Sequence, residues 1–145
     1  MSIRNEIQQA LVRYCRALDE PRSDVAFVKL WGVLEFVTDS STPRADTVKR
    51  ATFRVGRDEL DTDIVTHLRD VRNRSVHVGF DSEYSKTLVR QLRLFVEPLL
   101  LDLIRHGNRF ESLSDFGEML GLLPQSSELE AQIEKRRRAI DLLSQ

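Results

Sequence analysis

Residues Leu68–Gly79 read LRDVRNRSVHVG. The stretch sets Arg69, Arg72, Arg74 and His77 around one polar side chain, Asn73, and runs out in Val76, Val78 and Gly79. A helix that only had to pack would not place so many cations beside one of the chain's three histidines, and a solvated face would not end in valines. Two readings remain. In one, this is a well-capped helix end, whose arginines complement the negative end of the helix dipole and pair with acids on neighbouring helices. In the other, it is a site that handles phosphate.

Both readings require a helix, and the flanking sequence supplies it. In RDELDTDIVTHLRDVRNRSVHVG the acids gather near the start and the arginines near the end, as the dipole prefers, and Gly79 is the natural stop. Elsewhere apolar residues recur at three and four, with almost no alternation at two, so the chain is expected to be all-α. Upstream, a first helix is expected over Ile3 to Leu18, with Ile7, Leu11, Tyr14 and Leu18 on its core face, and DEPRSD breaks it. Ser23 or Asp24 can cap the second helix. Its stretch VAFVKLWGVLEFVT is apolar almost all round, the pattern of a helix buried at the centre of a bundle. DSSTPRAD reads as a loop, and a shorter helix, TVKRATFRV, is closed by Gly56. Downstream, Ser82 restarts a long helix through about Arg105, with Leu88, Leu92, Phe95, Leu99 and Leu103 as its core stripe and Pro98 expected to bend it. HGNR ends that helix, and two last helices, around SLSDFGEML and SELEAQIEKRRRAIDLL, flank an LLPQSS turn.

With 145 residues, 41% of them hydrophobic, residues 1–145 are expected to form one domain around one core. The formal net charge of -1 demands no polyanionic partner, but it hides a segregated distribution. Arg44, Lys49, Arg50, Arg54 and Arg57 form a basic run against Asp46 alone, and Lys135–Arg138 forms a second. The first could track an RNA backbone or could be a solvated face; the second reads as a solvated cluster. The one cysteine, Cys15, excludes an internal disulfide and has no activating neighbour, and no Cys/His cluster points to zinc, so neither a metal nor a cofactor is expected. No apolar run is long enough for a signal peptide or a membrane span, which makes a cytoplasmic location the expectation.

Cleaving RNA without a metal needs a base for the 2'-hydroxyl proton, an acid for the leaving 5'-oxygen and a cation for the phosphorane charge. His77 can serve as base or acid, because an unperturbed imidazole titrates near pH 6.5. Arg72 offers a planar fork suited to phosphate oxygens. One copy of the stretch has one histidine, whereas a two-fold dimer that joins two copies supplies both proton-transfer groups. On a regular helix Asn73 and His77 share a face, but Arg72 and His77 diverge by roughly 140°. Either the helix loosens before Gly79, or Arg72 reaches the substrate from the flank, or it works on the partner's half of a shared site.

Read together, FVKLWGVLEFV and LRDVRNRSVHVG resemble the HEPN (higher eukaryotes and prokaryotes nucleotide-binding) superfamily, specifically its ApeA-like branch. Phe27, Leu30, Trp31, Leu34 and Glu35 match its Trp-containing helix, and Arg72, Asn73, Val76, His77 and Gly79 match its Arg, four residues, His pattern with a glycine close behind. The resemblance covers most of the chain, more loosely after about Arg105. It implies an all-α, HEPN-like helical bundle of about five or six helices that dimerises to form a composite site. It also implies metal-independent endoribonuclease activity in defence or toxin-like systems, on tRNA, mRNA or other RNA, leaving 2',3'-cyclic phosphate and 5'-hydroxyl ends. Arg72 and His77 become the catalytic pair, Asn73 a positioning residue and Glu35 a partner for the arginines; Arg69, Arg74, Lys49, Arg50 and Arg54 are candidates for holding RNA. An antitoxin or an attached sensor domain would restrain the activity. The chain departs from the pattern in its His-Val-Gly spacing and in having Gly79 where relatives paired with nucleotidyltransferase antitoxins often carry Tyr, so regulation by modification of that Tyr is not expected. ApeA-like domains often end longer proteins, so the chain is either free-standing or part of one.

The other reading, of a different class, is a non-catalytic dimerisation or adaptor module that binds RNA, a nucleotide or a protein partner. Trp31 is expected in the core, His67 on a helix surface and His106 at a helix C-terminus.

Overall fold

The computed structural model describes residues 3–42, 45–75 and 83–144. Arg44, Val76, His77, Val78, Gly79 and Ser82, on which part of the sequence reading rests, lie outside the described residues. Among the described residues the chain forms seven α-helices and no strand. They are α1 (Ile3–Leu18), α2 (Ser23–Val37), α3 (Thr47–Ala51), α4 (Glu59–Ser75), α5 (Glu83–His106), α6 (Leu113–Leu120) and α7 (Ser126–Leu143). About five or six were expected. That figure comes with the resemblance; taken helix by helix, the sequence, with a short helix at α3 and a last one at α7, matches the seven, of which α3 is only five residues and α7 buries no residue.

The bundle is organised by α2, which packs most extensively against α5 and next against α1. Phe27, Leu30, Trp31, Val33, Leu34 and Val37 are all buried, which is what an almost wholly apolar helix requires. Each large side chain removed from water contributes about 1.5–3 kcal/mol. From α5 the expected stripe is buried in full, from Leu88 through Leu92, Phe95 and Leu99 to Leu103, joined by Val96 and Leu100. The helix runs through Pro98 without interruption. Val65, Leu68 and Val71 bring α4 onto the same core, and Leu113, Phe116 and Leu120 bring α6.

Three local expectations are corrected. The core face of α1 is Ile3, Ile7, Ala10, Tyr14 and Ala17, whereas Leu11 and Leu18 are exposed. Ala10 and Ala17, not the leucines, are the residues of α1 that are fully buried. Ser23 and Asp24 are inside the first turn of α2 and Arg22 occupies the N-cap without a side-chain cap, its guanidinium instead bridging to Asp24 at 2.6 Å. Gly56 does not close α3: the helix stops at Ala51, a 3-10 turn follows over Phe53–Val55, and Gly56, at φ 70°, ends that turn. A left-handed residue here favours glycine.

Candidate functional site

The last two turns of α4 carry Arg69, Arg72, Asn73 and Arg74 on an amphipathic helix whose other face, Val65, Leu68 and Val71, is buried. That burial fixes where the polar side chains stand. Arg72 lies one turn after Leu68, close to the buried stripe; it is half-buried and its Nε is shielded from solvent. Asn73 lies one turn after Arg69, and both are exposed. The Arg72 Nη1 donates to the Asn73 Oδ1 at 3.3 Å, so the guanidinium and the carboxamide are adjacent at the helix end. Arg74 donates from Nε to the Asp70 carbonyl at 3.3 Å, and Arg69 stands 3.8 Å from the Asp70 carboxylate.

A helix C-terminus carries partial negative charge and would by itself repel an anion. Three guanidiniums within two turns reverse that field. Arg72 with Asn73 then presents what a phosphate oxygen needs, a delocalised cation beside a neutral amide donor. Glu35 stands elsewhere in the hydrogen-bond network: its Oε1 accepts from the Trp31 Nε1 at 2.8 Å, and no ion pair joins it to Arg69, Arg72 or Arg74. Trp31 is buried in the core as expected, and Glu35 satisfies its one polar atom.

The basic run is largely committed to internal contacts. Arg50 donates from Nη1 to the Thr38 and Asp39 carbonyls, both at 2.9 Å, closing the C-terminus of α2. Arg54 pairs with Asp102 on α5 at 2.9 Å. Arg57 reaches the Leu120 carbonyl at 3.2 Å and the Leu122 carbonyl, closing α6, and its burial pulls its pKa down. Lys49 is exposed, with its backbone N–H held by the Asp46 carboxylate at the N-cap of α3. Lys135–Arg138 are exposed on α7, with Arg138 bonded to Glu134 at 3.1 Å.

Two features were not visible in the sequence. Arg13, Arg16 and Lys29 line a groove of about 430 Å³ between α1 and α2, in which Arg13 stacks 4.4 Å from the centre of the Phe36 ring. Tyr14 on α1 donates to Glu97 on α5, which also accepts from Arg93 at 2.6 Å. The helical spacing of Arg13 and Arg16 is legible, but their approach to Lys29 is tertiary. His67 is exposed, 3.0 Å from the Tyr84 hydroxyl, His106 is exposed at the end of α5, and Cys15 is an exposed thiol. Among the described residues no group of three or more His, Cys, Asp or Glu side chains gathers to hold a metal, and no helix is long and apolar enough to cross a membrane. Comparison with protein-family models, with curated proteins and with solved structures finds no match for this chain.

Proposed function

We propose that this chain is a HEPN-type, metal-independent endoribonuclease that acts as a cytoplasmic homodimer. The observation that carries the reading is the half-buried Arg72 held against Asn73 at the arginine-rich end of α4, on the helix that leads toward His77. In the proposed reaction one His77 removes the proton from a ribose 2'-hydroxyl, and the oxygen attacks the neighbouring phosphorus. Arg72 stabilises the added phosphorane charge, and Asn73 orients a non-bridging oxygen. As the P–O5' bond breaks, the second copy's imidazolium delivers a proton to the leaving oxygen. No water is consumed in this step, and the products are a 2',3'-cyclic phosphate and a 5'-hydroxyl. The substrate is tRNA or mRNA, and an antitoxin or attached sensor domain restrains the enzyme.

One observation favours a second reading, a non-catalytic dimerisation or adaptor module that binds RNA, a nucleotide or a protein partner. Arg50, Arg54 and Arg57 are tied to other helices, which removes most of a phosphate-tracking surface from that segment. Incubating a mixed total-RNA and tRNA pool in EDTA with wild type and His77→Ala, followed by end-group analysis, separates the two. Cuts that need His77 and end in cyclic phosphate support the nuclease. Silence from both proteins, or equal cutting by both, rejects it and leaves the module.

A further inference from the structure

The helix least explained by the fold is α7. None of its residues is buried, and among the described residues no other helix packs extensively along it. An isolated helix of its 18 residues, about 27 Å long, is marginally stable in water. Four of its apolar residues nevertheless fall on one seam: Leu129, Ile133, Ile140 and Leu143 are spaced as the core positions of a two-stranded coiled coil, with Ser126 and Arg136 in the two remaining core places. Ile133, Ile140 and Leu143 are 51%, 62% and 86% exposed.

We propose that α7 is a pairing arm that lies antiparallel against α7 of a second copy of this chain. Charge selects both the occupant and the direction. The first half of α7 carries Glu128, Glu130 and Glu134, and the second carries Lys135 to Arg138, so the helix is complementary to its own reverse. In the antiparallel register Leu129 packs on Ile140 of the second copy, and Ile133 on the aliphatic stem of Arg136. Glu130 and Arg137 flank that seam at equivalent positions, so each meets the other across the two-fold axis, twice per dimer. Both are exposed, and neither is in an ion pair among the described residues. A parallel pair would instead set Arg136 against Arg136. The ends fit as well: Leu142 and Leu143 at the tip of one arm arrive near the base of the other, where Leu122 and Leu123 are 37% and 44% exposed. The arm stands independently of RNA cleavage, because it is read by mass alone.

Light-scattering mass measurements on the full chain over a concentration series test it. Wild type is expected to shift from monomer to dimer, and Ile140→Glu to remain monomeric with an unchanged melting curve for the body. Arg137→Glu turns two attractive contacts into repulsive ones and is expected to weaken the dimer about tenfold. The exchanged double variant, Glu130→Arg with Arg137→Glu, restores it. A wild type that stays monomeric throughout, a dimer indifferent to all three variants, or a loss that the exchange fails to rescue each overturns the antiparallel arm. A dimer held only through the end of α4 would give the second of these results.

Discussion

Tyr14 and Glu97 meet where α1 crosses α5, and their ionisation is set by that meeting. The Tyr14 hydroxyl, then the Arg93 guanidinium, hold the Glu97 carboxyl below the usual carboxylate range against its partial burial. Burial, then the Glu97 carboxylate, pushes the Tyr14 phenol above its ordinary value. The two signs give two pH limits. A carboxyl lowered by folding stabilises fully above its unfolded value, about 4.3, and that contribution is lost as pH falls through the folded value. A phenol raised by folding contributes below about pH 10, and the contribution is lost as pH rises through its folded value. Tyr14→Phe should therefore cost about 1 kcal/mol near neutrality. Chemical denaturation across pH should show the gap between wild type and variant closing at both extremes, and a constant gap would remove Tyr14 from the linkage. Arg72 supports a second test, which rests on the proposed nuclease. Arg72→Lys keeps the charge but loses the planar fork, so kcat should fall about a hundredfold with the melting curve unchanged. Equal kcat would mean that a point charge suffices.

The end of α2 is held by Arg50, and α6 leaves it just enough room. A Cβ added at Gly117 would stand 2.7 Å from the Thr38 carbonyl oxygen and 2.8 Å from the Arg50 Nη1. The nearer atom is backbone and cannot swing away, so Gly117→Ala forces α6 outward or Arg50 off its carbonyls. A loss of about 1–3 kcal/mol is expected for Gly117→Ala and about 1–2 kcal/mol for Arg50→Ala. The double variant should cost less than their sum, because both disturb one contact, and strict additivity in denaturation would separate the two sites. The same corner shows where sequence reading stops. α2 and α5 are legible because large apolar residues mark their buried faces without ambiguity. α1 is misread because Ala10 and Ala17 weigh little in an apolar pattern, although both are buried in the core. The basic run is legible as charge, yet its arginines act on carbonyls of α2 and α6 and on a carboxylate of α5, and no local spacing encodes those distances. At the candidate site, the residue types at the end of α4 are readable, whereas the half-burial of Arg72 follows from how Leu68 and Val71 seat the helix.

One chain contributes one His77, and neither histidine elsewhere in the described structure stands in the last turns of α4: His67 pairs with Tyr84, and His106 closes α5. If the reaction needs an imidazole to take a proton and an imidazolium to give one, a protomer alone is incomplete and the dimer is the catalytic unit. That requirement predicts a dominant effect. Wild type mixed with a large excess of His77→Ala, after subunit exchange, resides almost wholly in mixed dimers that hold one imidazole. Cleavage per wild-type protomer should then fall by about a hundredfold, the smaller end of what one acid or base contributes. A site complete within one protomer gives the opposite result, with cleavage proportional to wild type and indifferent to the excess. Adding Ile140→Glu to both proteins then asks which contact exchanges. If the arm of α7 holds the catalytic dimer, the variant stays monomeric and its cleavage is lost. If the contact lies at the end of α4, the arm variant stays dimeric and leaves cleavage untouched, which overturns the arm.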